Sequence, residues 1–250
     1  LSVTQGNASK ETESRFGIKG QEDLGNGLAA TFQLEGRFDA STGSYSDAMF
    51  ARESTVGLKG NFGHVRFGRS KSAMEIGLGD FNVGERVGST DPYLSSTRHS
   101  NGAFYDYEMN GFKIGGDVTT EAGASTLGSN EGGSAAGTKV SYGLHANYTA
   151  NNFAVGAAYQ ADRGQTSSTA LGTVGVDKEW GVAASYTFNP VTIGATYAAA
   201  KNGDVKGRTW GAYVTGNVTS ADSLYVKYQA QRIKDSVMTT TKTATWGIGG

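Results

Sequence analysis

The sequence predicts an all-β chain, a transmembrane antiparallel up-and-down β-barrel, and three observations carry that expectation. Apolar residues recur at every second position from Arg15 onward, which is the period of a strand and not of a helix. Very short turns alternate with longer polar stretches, as in a meander whose two rims differ. Aromatic side chains end the apolar faces, where the headgroup level of a bilayer suits an amphipathic ring.

Along the chain the alternation is sharpest after residue 138. Val140, Tyr142, Leu144, Ala146 and Tyr148 form one face, and Lys139, Ser141, Gly143, His145 and Asn147 the other. Phe153, Val155, Ala157 and Tyr159 repeat the apolar face, as do Trp180, Val182, Ala184, Tyr186 and Phe188. Val191, Ile193, Ala195 and Tyr197 follow, then Trp210, Ala212 and Val214, then Leu224, Val226 and Tyr228. Short turns are expected near 25–27, 61–63, 110–111, 151–152, 189–190 and 220–222. Longer polar connections are expected over 39–50, 71–97, 121–137, 162–176, 201–207 and 235–239. The rhythm gives about thirteen strands in one domain over residues 1–250.

A barrel that wide cannot be filled by side chains. Its interior holds water, so the apolar face turns to lipid. The mean hydropathy of -0.38 does not contradict this, because alternating strands average out as polar. An odd strand count leaves two edges whose unpaired backbone groups cost several kcal/mol each in hydrocarbon. Strands outside residues 1–250 are therefore expected, for about 16 in the intact protein. The formal charge of -1 offers no basic field for nucleic acid. With no Cys and only three His, thiol chemistry and a Cys-based metal site are excluded. No nucleophile stands beside a base, so catalytic residues, cofactor and metal are all expected to be none.

Two blocks carry a likeness. The first is Ser14-Arg-Phe-Gly-Ile-Lys-Gly-Gln-Glu-Asp-Leu-Gly-Asn-Gly-Leu-Ala-Ala-Thr-Phe-Gln-Leu-Glu, and the second is Arg52-Glu-Ser-Thr-Val-Gly-Leu-Lys-Gly-Asn-Phe-Gly-His-Val-Arg-Phe-Gly-Arg. In order, spacing and turn residues they resemble the trimeric general porins of Gram-negative outer membranes, most of all the beta-proteobacterial, neisserial-type branch. Beyond residue 100 only the alternation and turn rhythm agree. The resemblance implies an outer-membrane homotrimer of sixteen-stranded barrels through which ions and small hydrophilic solutes diffuse passively. It implies contact with outer-membrane lipid and lipopolysaccharide, and that the first strand and the last two lie outside this sequence.

In such porins the third loop folds inward and narrows the pore. The connection 71–97 matches it in place and carries Glu75, Asp80, Glu85 and Asp91, with Lys71 and Arg86 beside them. Basic residues on the facing wall oppose that loop in the family, and the two blocks put Arg15, Lys19, Arg37 and Arg66 at wall positions. Parity gives these four one polar face, with Glu35 and Lys59 among them and His64 beside Arg66. Where the family often has a basic residue before Tyr-Asp in the next strand, this chain has Phe104 before Tyr105-Asp106 and lacks the Ser-Pro that follows. One arm of the basic cluster is thus left open. A mild preference for anions is the expected outcome.

Other signals are weaker. The glycines of 77–84 lack the strand-helix frame of a dinucleotide loop. Glu22 and Asp23 sit in a turn, not across a cleft. His64, His99 and His145 fall on polar faces and read as solvated interior residues. Two competing functions are an adhesin-type barrel using its long loops and a soluble β-rich enzyme. Loops low in aromatics count against the first, and one-sided aromatic rims with no catalytic pair count against the second.

Overall fold

A computed structural model describes residues 14–40, 42–44, 48–83, 92–122, 140–162, 176–219, 223–234 and 240–249. Glu85 and Asp91 lie outside the described residues, as does the 121–137 connection beyond residue 122. The strands are β1 (Ser14–Gly25), β2 (Leu28–Phe38), β3 (Glu53–Gly60), β4 (Gly63–Lys71), β5 (Arg98–Met109) and β6 (Phe112–Ala122). They continue as β7 (Ser141–Ala150), β8 (Phe153–Ala161), β9 (Lys178–Phe188) and β10 (Val191–Asn202), then β11 (Val205–Asn217), β12 (Ser223–Lys234) and β13 (Thr240–Gly249). All belong to one 13-stranded sheet in chain order. Every neighbouring pair is antiparallel, and β1 does not pair with β13, so the described sheet is open along one line.

Turn chemistry sets the register. Asn26 and Gly27 have φ of 53° and 75°, and Asn110 and Gly111 have 50° and 83°. Positive φ at both central residues is what a two-residue type I′ hairpin requires, and its twist matches the flanking strands. From these turns the ladder runs without a break in β10, where Val191 faces Phe188 on one side and Gly216 on the other. A one-residue slip would turn every apolar side chain inward, so turn and alternation specify the same pairing.

The apolar face is exposed over its whole extent. Phe16, Ile18, Val56, Phe67, Ile114, Leu144, Val182, Ile193, Val214 and Val226 all remain open. Two rows of rings bound it. Phe112 packs on Tyr148 at 4.2 Å and Tyr186 on Phe188 at 4.5 Å near the short turns. Trp180 packs on Tyr197 at 5.5 Å and Trp210 on Tyr228 at 5.0 Å nearer the other rim. Eight residues of β9 separate Trp180 from Phe188, about 26 Å of extended chain at about 3.3 Å per residue. That span, on tilted strands, fits the apolar band of about 25 Å in an outer-membrane barrel.

The buried core lies on the opposite, polar face. It forms beneath a six-residue helix, α1 (Ala73–Leu78), and the 3-10 turn Gly79–Phe81 that follows it. Met74, Leu78, Phe81 and Tyr93 pack there against Ala158, Ala183, Ala198 and Tyr213 of the wall. Room for the helix comes from missing side chains. A Cβ on Gly156 would stand 2.0 Å from the Gly77 carbonyl oxygen, and one on Gly181 2.4 Å from Leu78 Cδ1.

One connection differs from expectation. Residues 201–207 form no long polar link, because β10 runs to Asn202 and β11 starts at Val205. Gly203, at φ 56°, and Asp204 make the turn between them. Lys201, Asn202, Asp204 and Lys206 give the stretch the polarity of a loop. A strand that projects beyond the hydrocarbon carries lysine freely, so polarity there marks height and not irregular backbone.

Candidate functional site

The inward segment is built from its base upward. Ser72 N donates to Thr97 O at 2.9 Å and Ser72 Oγ to Ser96 O at 2.6 Å, tying the outgoing and returning limbs together. Ser72 also caps α1, its hydroxyl accepting from Glu75 N at 3.3 Å. The next two backbone donors of the helix are taken up by the wall. Ala73 N donates to Asp117 Oδ1 at 3.0 Å, and Met74 N donates to Gln160 Oε1 at 3.3 Å. Asn147 Nδ2 donates to the Gly77 carbonyl at 3.0 Å. On the returning limb Leu94 N and Ser95 N donate to the two oxygens of Glu179 at 2.7 and 2.6 Å.

Behind these contacts is a sealed polar group. His99 stands with Nδ1 2.5 Å from Asp117 Oδ2 and Nε2 3.1 Å from Asp162 Oδ1. Gln160 Nε2 donates to Asp162 Oδ2 at 2.6 Å. His99, Gln160, Asp162 and Glu179 are all at most 1% exposed. His99 is therefore no solvated interior residue, and neither is His145, which is buried with Nε2 3.1 Å from Asp106 Oδ1. His145 lies on the polar face as parity requires, whereas His99 is turned inward by a break in the alternation of β5, where Asn101 has φ 49° and the pairing with β4 shifts register. The covering segment and the Arg66–Asp106 contact take them out of water.

The facing wall is arranged otherwise. Arg15 of β1 sits directly opposite Arg37 of β2, and Lys19 opposite Gln33. Lys59 faces His64. Lys19, Gln33, Thr55, Lys59, His64 and Arg66 line one recess of about 490 Å³. Arg15, Lys19 and Lys59 are exposed, and none has an ion-pair partner among the described residues. Arg66 is different. It is ion-paired to Asp106, donates to Ser70 Oγ at 2.8 Å, and lies 5.8 Å over the Phe104 ring. The aromatic residue that breaks the family pattern thus lies under the guanidinium, close enough for a cation–π contact.

Of the acids expected on the segment, Glu75 is occupied within it. Lys71 Nζ lies 3.2 Å away, and the Tyr93 hydroxyl donates to it. Asp80 is exposed on the 3-10 turn. Two residues further, Asn82 Oδ1 lies 3.5 Å from Lys227 Nζ of β12. The sequence reading missed Asp117, Gln160, Asp162 and Glu179. One signal was available, since all four are polar inward positions, three of them at the long-connection ends of β8 and β9 and Asp117 midway along β6. Among the described residues no His, Asp and Glu cluster is arranged to hold a metal ion.

An apolar ring-bounded exterior, a polar interior and a segment seated inside define a membrane β-barrel of the outer-membrane type. The chain belongs to the Gram-negative porin family, whose model matches residues 2–250. It is 52% identical over 61 residues to outer membrane porin protein 32 of Delftia acidovorans, covering 24% of this chain and 17% of that protein. It is 43% identical over 82 residues to major outer membrane protein P.IB of Neisseria meningitidis, covering 33% and 24%. The matched segments thus span under a quarter of these relatives' length. The anion-selective porin from Comamonas acidovorans shares the fold at a TM-score of 0.76 and 24% identity, over 96% of this chain and 74% of that one. OmpF of Salmonella typhi does so at 0.70 and 15%, over 98% and 81%. The chain is a multi-pass barrel of the outer membrane.

Proposed function

We propose that the protein is a general diffusion channel, a water-filled passage for ions and small hydrophilic solutes. The observation that carries this reading is the seating of α1 on the polar face by Asp117, Asn147 and Gln160, with the returning limb held there by Glu179. A segment fixed there narrows an aqueous passage without filling it, so residues 71–97 act as the constricting loop. Passive diffusion needs no catalytic group, and the reading assigns none. The free edges of β1 and β13 support further strands closing the barrel, about 16 in all. The family supports a homotrimer set among outer-membrane lipid and lipopolysaccharide.

Selectivity in this reading follows from the basic wall of Arg15, Lys19, Arg37 and Arg66 against Glu75, Asp80, Glu85 and Asp91. Arg66 is compensated by Asp106 and Glu75 by Lys71, so the exposed Arg15 and Lys19, with Arg37 directly opposite Arg15, set the sign. In a narrow aqueous gap with low-dielectric walls such charges act over short range, and those beyond about 8–10 Å are screened. The outcome is mild anion preference, the same sign as that of the Comamonas porin. The test is a planar bilayer held across a salt gradient. Steady conductance with an anion-favouring reversal potential is expected, and Arg15→Gln with Arg37→Gln should move that potential toward cations. No conductance from folded, bilayer-inserted protein would overturn the channel. An unmoved potential would overturn the basic wall.

A further inference from the structure

The outward face carries a second charged array that permeation does not use. Near the long-connection rim, Lys178 of β9 is directly opposite Lys201 of β10, and Lys201 is also opposite Lys206 of β11. Lys206 is opposite Lys234 of β12, Arg208 opposite Arg232, and Arg232 opposite Lys242 of β13. Five like-charged pairs thus run side by side across five strands. Each shares the parity of Trp180, Tyr197, Trp210, Tyr228 or Trp246, so all seven cations point away from the interior. None has an ion-pair partner among the described residues, and six of the seven are exposed.

Like charges directly opposite on a sheet are destabilising. Five such pairs of one sign, with Asp204 in the turn and Asp177 before β9 as the neighbouring acids among the described residues, call for an anion supplied from outside. Glu179 does not serve, since its carboxylate is spent on Leu94 and Ser95. The array starts two residues beyond Trp180 and Trp210, just outside the ring level that marks the edge of the hydrocarbon. There Tyr159, Lys178, Trp180, Lys201, Lys206 and Arg208 line a recess of about 280 Å³. In register with Lys178, β8, β7 and β6 carry Ala161, Tyr142 and Val118 on their outer faces, so on this side the cations stop at β9.

We infer that the outer face of β9–β13 is a binding site for the phosphorylated headgroup of an outer-leaflet glycolipid. Lysine and arginine take phosphate oxygens through charge-assisted hydrogen bonds, and the ring floor accepts the sugar and the first methylenes of the acyl chains. The long-connection rim is the outer one in barrels of this type, which puts the array in the leaflet where such lipids reside. A second copy of the chain would bring the same sign and be repelled. The inference rests on the outer-membrane barrel reading and deepens its lipid partner into a site.

The test uses protein extracted from the outer membrane in mild detergent, with bound lipid read by native mass spectrometry and affinity by titration with purified glycolipid. Wild-type protein should retain glycolipid and bind it at least tenfold more tightly than the enzymatically dephosphorylated form. K206Q/R208Q/R232Q/K234Q should bind it roughly 100-fold more weakly, given the attraction of each basic residue to an anionic surface. K206R/K234R should bind as wild type does. Equal binding of the dephosphorylated lipid, which needs no variant, would overturn the site. So would unchanged affinity in the quadruple variant, or inorganic phosphate at millimolar concentration displacing the lipid. Bilayer conductance is measured on the same samples. Its absence in wild type overturns the channel, and its persistence in a lipid-free variant shows that only the lipid site was lost.

Discussion

The inner faces of β6–β9 and of β1–β4 are both polar, yet they spend their polar groups in opposite ways. On β6–β9, Asp117, Asn147, Gln160 and Glu179 each hold a backbone group of the segment 72–95. Glycine and alanine between them let the helix approach. On β1–β4, Arg15, Lys19 and Lys59 stay open to water. Two cations even stand directly opposite each other in Arg15 and Arg37, an arrangement that costs stability unless water or a counter-charge offsets it. One wall is a seat and the other is a field. Alternation alone produced both.

Substitutions can break that contrast, starting with the seat. Gly156→Val drives a side chain into the Gly77 carbonyl and should cost about 3 kcal/mol or more through overpacking. It should raise single-channel conductance as the helix lifts, whereas Gln33→Val on the facing wall should leave conductance within about a fifth of wild type. Unfolding midpoints in denaturant read the stability, and equal penalties would erase the distinction.

Glu179→Ala leaves Leu94 and Ser95 with two buried donors and should cost about 3 kcal/mol. Glu179→Gln keeps one acceptor and should cost about half as much. The expected signature is open-channel noise and a higher mean conductance, both smaller for Gln than for Ala. Identical traces for the two variants would mean that the carboxylate does not hold the loop.

The contrast between walls presupposes the contrast between faces. Val214→Arg on the exposed apolar face should cost about 2–4 kcal/mol if it lies near the bilayer midplane. Thr215→Arg, one residue on and facing inward, should cost under about 0.5 kcal/mol. Refolding titrations into lipid vesicles compare the two directly.

The smallest effects separate the half-buried, ion-paired Arg66 from the exposed basic residues of the same wall. Arg66→Gln removes the guanidinium from a buried Asp106 and leaves it His145, which should cost about 2 kcal/mol. Arg15→Gln with Lys19→Gln, both exposed, should leave stability within about 0.5 kcal/mol and still shift the reversal potential, less so as ionic strength rises. A stability loss as large as that of Arg66→Gln would show that the open wall is also structural.

Strands were legible because their signal is local. Trp180, Val182 and Ala184 declare a face within five residues, and Asn110-Gly111 declares a hairpin within two. The seating of the segment was illegible because its partners are remote and aperiodic. Glu179 lies 85 residues from Leu94, and parity assigns it to the interior without saying whether water or backbone meets it there. His99 was misread for the same reason, since a polar position beneath a covering loop looks like one facing a channel. The basic wall came through a likeness in two blocks, and only the ladder revealed that Arg15 and Arg37 stand opposite each other. At 201–207, lysines that belong to a projecting strand look like loop.

The short helix has a consequence for how the molecule is made. Six residues are too few to hold a helix in water unaided, and the groups that order α1 and its returning limb are contributed by strands synthesised after it. Asp117, Asn147, Gln160 and Glu179 become available in turn. The segment therefore stays unformed while the wall behind it is laid down, and it takes shape only when β9 is in place. Assembly must carry a loose strap inside a closing cylinder. A chain stalled before β9 would present that strap, with Met74, Leu78 and Phe81 uncovered, to whatever escorts the barrel to its membrane.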